Sequence, residues 1–257
     1  ECLLGSAEQI QELCRNSVFK GDYSNLDEVV VPGLARWEHG EPVRLNTAGT
    51  KFLAIYTESQ TEVPKGTVVL MHGRGFHPDW PEMVGPLRVG LAEAGWHTLS
   101  IQMPVLGKGS TYYDYLALFP VSYPRLDAAR SYARGQTGGP VVFFAHSCSV
   151  HMAMAYLEAC RFKGIDAFVG VSMGATDYRQ PMPKPFPLQK LRVPVLDVRG
   201  TDDYPAVHPF APRRARSTAQ SGIAASRQIV VPDVDHFFRD QDEVLLRVVS
   251  EWLQDVF

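Results

Sequence analysis

The chain of 257 residues carries 25 Lys and Arg against 28 Asp and Glu, a net charge of −3 with histidine neutral, and is 45% hydrophobic. That length favours a single α/β domain with a large core over two small domains. The balance excludes a basic nucleic-acid surface, because Arg213, Arg214 and Arg216 form too short a cluster and read as a solvated helix face; no apolar run approaches the ~20 residues that span a bilayer.

The chain starts at Glu1 without an initiator Met, which fits a processed mature form or a trimmed one. Residues 3–15 read as a short helix, followed by extended segments at 28–32, 42–47 and 51–57. Cys2 and Cys14 flank or end that helix and either close a small loop by a disulfide or remain two thiols. Residues 1–66 therefore read as an N-terminal helix and antiparallel edge strands, attached to a core of residues 67–257.

From Thr67 the pattern alternates strand and helix. Buried strands are predicted at 68–71, 98–101, 141–144, 167–171, 195–198 and 228–231, each a nearly continuous apolar run. Such runs separated by helical stretches predict a mostly parallel sheet covered on both faces, a three-layer α/β fold. Val150, Ala153, Met154 and Leu157 repeat at i, i+3, i+4, i+7, and apolar pairs recur from Val244 to Val256, so both stretches read as helices packing on that sheet. The segment between Val171 and Val193 is proline-rich and too short for a large helical lid. The loop spanning 103–119, with Tyr112, Tyr113 and Tyr115, is the better pocket wall.

The strand 141–144 runs into Ala145-His146-Ser147-Cys148-Ser149, small-x-Ser-x-small, and then directly into a helix. A serine there sits on a tight strand-to-helix turn that lifts its Oγ clear of the sheet edge. Ala145 and Ser149 stand where glycine is usual, so the match is relaxed.

A nucleophilic serine needs a base and a carboxylate to orient that base, and an α/β sheet delivers such groups at the carboxyl ends of its strands. His236, in Pro232-Asp233-Val234-Asp235-His236-Phe237-Phe238, stands past the last core strand and before the closing helix. The strand 195–198 leads into Arg199-Gly200-Thr201-Asp202-Asp203, which places Asp203 as the acid, with Asp202 as the alternative. An oxyanion hole would draw on the N–H of Cys148 and on the loop His72-Gly73-Arg74-Gly75-Phe76, with the Arg74 N–H as second donor and Gly73 beside it. The Arg74 side chain reads as surface-pointing, with attraction for an anionic substrate group as the other reading. His72 buttresses this loop at the pocket, and Phe76, Tyr112, Tyr113 and Phe237 are the further pocket residues.

From Thr67 to the C-terminus these motifs resemble the α/β-hydrolase superfamily, through the relaxed elbow, the His72-Gly73 loop and the order Ser, Asp, His. More narrowly, His72-Gly73, His77-Pro78-Asp79-Trp80, Pro86-Leu87, Gly95-Trp96 and Gln102-Met103-Pro104 resemble an uncharacterised bacterial α/β-hydrolase family. The resemblance implies a serine hydrolase of carboxylic esters with short-to-medium acyl groups, working without a cofactor or metal on a small-molecule ester. Export is frequent in the narrower family, and it implies a periplasmic or secreted setting.

Two rival readings remain. Cys148 would be the nucleophile only with His146 and Val150 at the small-residue positions of the turn. A catalytically silent scaffold that binds a ligand or partner is the second. A metal site has little support, because His146 and His151 are five residues apart rather than four. Nothing in the sequence sets an oligomeric state.

Overall fold

The computed structural model describes residues 39–47, 51–107, 109–177 and 185–257. The expected helix at 3–15, the extended segment at 28–32 and the pairing of Cys2 with Cys14 lie outside these residues. Among the described residues eight strands form one sheet: β1 (Glu41–Asn46), β2 (Lys51–Thr57), β3 (Thr67–Met71), β4 (His97–Ile101), β5 (Val141–His146), β6 (Ala167–Val171), β7 (Val195–Asp202) and β8 (Arg227–Asp235). Their spatial order is β1-β2-β4-β3-β5-β6-β7-β8. The pairings β1–β2 and β2–β4 are antiparallel, and those from β4 through β3 to β8 are parallel.

Among the described residues five helices of ten residues or more pack on this sheet: α1 (Val84–Glu93), α2 (Phe119–Thr137), α3 (Cys148–Ala159), α4 (Ala211–Gln220) and α5 (Asp242–Val256). The continuous apolar strands divide their side chains between two cores. Val69, Met71, Phe143 and Ala145 join Leu126, Ala129 and Ala133 of α2 and Val150 and Leu157 of α3 on one face. Val68, Leu70, Val142 and Phe144 join Leu87 and Leu91 of α1 and Leu245, Val249 and Trp252 of α5 on the other. Successive strand residues point to opposite faces, so a strand covered on both sides must be apolar at every position.

This topology also decides where a site can form. The chain leaves β3 toward β4 on one side and leaves β5 toward β6 on the other, with α1 and α3 on opposite faces. The loops after β3 and β5 therefore diverge and leave a crevice at the carboxyl ends of these neighbouring strands. At the far end, Asp202 of β7 pairs with Asp235 of β8, so the next residues, Asp203 and His236, emerge side by side.

Between β6 and β7 the described residues contain one 3-10 turn, Leu188–Lys190, and no longer helix. The loop at 103–119 is partly ordered by a helical turn, Tyr112–Tyr115, and a 3-10 turn, Leu116–Leu118. Cys148 is a buried free thiol, whereas Cys160, at the end of α3, is disulfide-bonded. Among the described residues no helix is long and apolar enough to cross a membrane.

Candidate active site

Strand β5 runs two residues beyond the predicted run, to His146, and Ser147 follows with φ 55° and ψ −118° before α3 begins. A non-glycine residue rarely holds such a conformation, which costs about 1–3 kcal/mol and persists only where the surroundings enforce it. Here the Ser147 N–H donates to the Val171 carbonyl and the Val150 N–H to the Ser147 carbonyl, both at 3.0 Å. Ala145 fits at full burial, and the Ser149 hydroxyl donates to the His72 carbonyl. The non-glycine flanks are thus accommodated, and one of them ties the elbow to the loop after β3.

The structure brings Ser147, His236 and Asp203 into one line. The Ser147 hydroxyl lies 2.9 Å from His236 Nε2 and His236 Nδ1 lies 2.6 Å from Asp203 Oδ1. A carboxylate only accepts, so Nδ1 carries the imidazole proton and Nε2 is left to accept from the serine. All three are buried, with Ser147 9% exposed, Asp203 4% and His236 2%, whereas Asp202 is exposed. Burial by itself would raise Asp203, but His236, the Ser172 hydroxyl and the Tyr204 N–H outweigh it and hold the carboxyl below its ordinary value. Ser172 Oγ donates to Oδ2 at 2.6 Å and the Tyr204 N–H to Oδ1 at 2.7 Å.

His146, named above only in the Cys148 reading and in the metal pair with His151, sits beneath this line. Its Nε2–H donates to the His236 carbonyl at 2.9 Å. Its Nδ1 has no hydrogen-bond partner among the described residues and faces Gly73, where an added Cβ would come within 2.7 Å of it. Burial, then the nearby His236, lower His146 to about 3, so it is neutral and spans the gap between the base and the loop after β3.

That loop is fixed from below by His72. His72 Nε2 accepts the Met103 N–H at 3.0 Å, which leaves Nδ1–H to donate to the Gly73 carbonyl at 2.8 Å. Burial lowers it to about 3 and its exposure is 0%, so it braces the loop rather than lining an open surface. The Arg74 side chain does not point freely to solvent: its Nη1 lies 2.8 Å from Asp177 Oδ1. Asp177 also accepts the Tyr112 N–H at 3.0 Å, joining the loops after β3, β4 and β6. Among the described residues the backbone N–H groups of Cys148 and Arg74 make no hydrogen bond.

Aromatic rings flank the site on two sides. Phe76 stacks on Trp80 at 3.8 Å, and Phe237 stands edge-on to both Phe76 and Trp80 at 5.8 Å. Tyr112 is buried, its hydroxyl donating to His151 Nδ1 at 3.1 Å, while Tyr113 is 48% exposed. Cys148 is next to Ser147 but buried, and burial pushes its thiol up to about 12.

Ser172, Asp177 and Tyr204 were not singled out in the sequence. Ser172 carries a signal that would have found it, a polar residue directly after a buried strand at the carboxyl edge. Asp177 and Tyr204 lie in loops: Asp177 is placed by Arg74 and Tyr112, and the Tyr204 ring by His236, all distant in sequence.

A family described as "Protein of unknown function (DUF3530)" matches residues 35–113, which include β1 to β4 and the loop after β3 but none of Ser147, Asp203 and His236. A search of curated proteins finds no match. Solved structures resemble the whole fold. XC6422 from Xanthomonas campestris, described as an α/β serine hydrolase without lid, is 13% identical with a TM-score of 0.63, covering 85% of this chain and 95% of its own. Dienelactone hydrolase from Anabaena variabilis is 19% identical with a TM-score of 0.63, over 85% of this chain and 98% of its own. The Pyrococcus furiosus esterase Pf2001 is 16% identical with a TM-score of 0.62, over 84% and 91%. The chain has the α/β-hydrolase fold, without a large helical lid among the described residues.

Proposed function

We propose that this protein is a serine hydrolase that cleaves carboxylic esters through an acyl-enzyme. The observation that carries the reading is the hydrogen-bonded line from Ser147 through His236 to Asp203, with the serine held in a left-handed turn at a strand end. His236 Nε2 takes the hydroxyl proton as Ser147 Oγ attacks the ester carbonyl. Asp203 holds the Nδ1–H tautomer and stabilises the imidazolium that forms. The N–H groups of Cys148 and Arg74 receive the oxyanion, fixed in place by α3 and by the His72 brace. His236 then returns the proton to the departing alkoxide. In the second half it takes a proton from water, whose oxygen attacks the acyl carbon, and gives that proton to Ser147 Oγ as the acyl bond breaks and the acid leaves.

Esters are the favoured substrates because an alkoxide leaves more readily than an amine, and a crevice with no helical lid among the described residues suits short-to-medium acyl groups. The esterase described among the structural neighbours supports the same class. A periplasmic or secreted setting belongs to the proposal, and the disulfide at Cys160 supports it, since such bonds persist in oxidising compartments. A cysteine nucleophile is disfavoured by the raised Cys148 thiol and by the hydrogen bond that commits His236 to Ser147.

Turnover of p-nitrophenyl butyrate by the wild type, Ser147→Ala and His236→Ala tests the reading. Each variant is expected to fold and to lose on the order of 10⁴ in kcat. Retention of most activity by Ser147→Ala overturns it, and folded wild type that turns over no activated ester favours a silent scaffold.

A further inference from the structure

Tyr204 lies face to face with the His236 imidazole, ring centroids 3.9 Å apart and planes within 10°. Its own N–H donates to Asp203 Oδ1, the oxygen that also receives His236 Nδ1–H. One residue therefore touches both the acid and the base of the proposed machinery. Around the rest of the imidazole, Phe237 stands edge-on at 5.0 Å and 82°, and the neutral His146 lies tilted at 5.0 Å and 44°. Tyr204 is the one of these three rings that lies flat on the imidazole.

Two neutral rings gain little from a near-parallel stack and prefer offset or edge-on packing. A cation over an aromatic face gains considerably more, because the ring quadrupole is negative there. Burial raises the Tyr204 phenol above its ordinary value, so the ring presents a neutral, electron-rich face. In an acyl-enzyme cycle His236 becomes cationic only as each half-reaction proceeds, and a contact stronger in that state lowers the barrier rather than tightening substrate binding.

We infer that Tyr204 is a positioning residue of this hydrolase, whose aromatic face holds the His236 ring in line with Ser147 and Asp203 and favours the imidazolium formed in both half-reactions. This inference rests on the serine-hydrolase reading. The stack is made by the side chain, and the backbone donor to Asp203 survives any substitution except proline, so the two contributions separate.

The test compares wild type, Tyr204→Phe, Tyr204→Leu and Tyr204→Met for kcat and KM on p-nitrophenyl butyrate and for the rate of labelling by a fluorophosphonate. Leu and Met fill the space without a π face, and Met adapts to irregular gaps, so a folding defect in one leaves the other as the comparison. The apolar variants are expected to lose about tenfold in kcat and in labelling rate with KM nearly unchanged. Tyr204→Phe should restore kcat to within about twofold of wild type, since it keeps the face. Wild-type kcat in either folded apolar variant overturns the inference, as does a loss in Tyr204→Phe equal to that in Tyr204→Leu. Absence of both turnover and labelling in the wild type overturns the hydrolase reading and the inference with it.

Discussion

Asp202 and Asp203 are adjacent, chemically identical, and separated by which way the backbone turns. Asp203 faces inward and gathers three donors, from His236, Ser172 and the Tyr204 backbone, while Asp202 stays in solvent beside Thr201. Replacing Asp203 by Asn keeps the shape but removes the charge that stabilises an imidazolium, and an amide nitrogen toward Nδ1 forces the wrong tautomer. Asp203→Asn should therefore lower kcat by on the order of 10⁴. Asp202→Asn should leave kcat within about threefold, as exposed substitutions usually do. Steady-state kinetics of the pair decide the matter, and the reverse pattern assigns the acid to Asp202. The ambiguity in the sequence has a plain cause: both residues come after the apolar run 195–198, which ends before either of them. Asp177 and Tyr204 were hidden for a related reason, since Asp177 gains its role from Arg74 and Tyr112 and the Tyr204 ring from His236 rather than from local spacing.

At the scale of elements, the union of acid and base depends on how closely β7 and β8 approach. Their ladder shifts register between Gly200 and Asp202 and resumes with Asp202 opposite Asp235. An added Cβ at Gly200 would penetrate the Val234 backbone carbonyl, which has no rotamer by which to yield. Gly200→Ala must therefore pry the strands apart just below Asp203 and His236. The expected cost is about 1–3 kcal/mol of stability. With a misplacement near 1 Å, kcat should fall by up to about 100-fold. Urea unfolding and kinetics on the same variant test this, and wild-type values in both would show that the close approach is dispensable. The strands and the elbow were legible because continuous β-branched and aromatic runs admit few readings. The register shift was not, because a lone glycine in a strand does not say which carbonyl comes against it.

Across the whole molecule, burial keeps three histidines neutral. Burial first of all lowers His72 and His146 to about 3 and His151 to about 4. Unfolded, each titrates near 6.5, so below that pH the unfolded chain takes up protons that the folded chain refuses. Their folded values are depressed, so this stability is fully present above about pH 6.5 and is lost as pH falls toward the folded values. With three such sites the slope reaches roughly 4 kcal/mol per pH unit. The urea midpoint should accordingly drop between pH 7.5 and pH 5, and an unchanged midpoint would mean that these imidazoles are solvated or charged in the native state. Two of the three pack against the site directly: His72 carries the loop after β3, and His146 donates to the His236 carbonyl and lies beside Gly73. Acid therefore threatens the fold and the proposed chemistry at the same points.

The central claim is that Ser147 is an activated nucleophile, and covalent labelling addresses it without knowledge of the substrate. Wild type and Ser147→Ala are treated with a fluorophosphonate at pH 7.5, and any adduct is located by mass spectrometry of the digested protein. One adduct on Ser147 in the wild type, absent from a folded Ser147→Ala variant, is the predicted result. A folded wild type that takes no label, or takes it at another residue, would contradict the account.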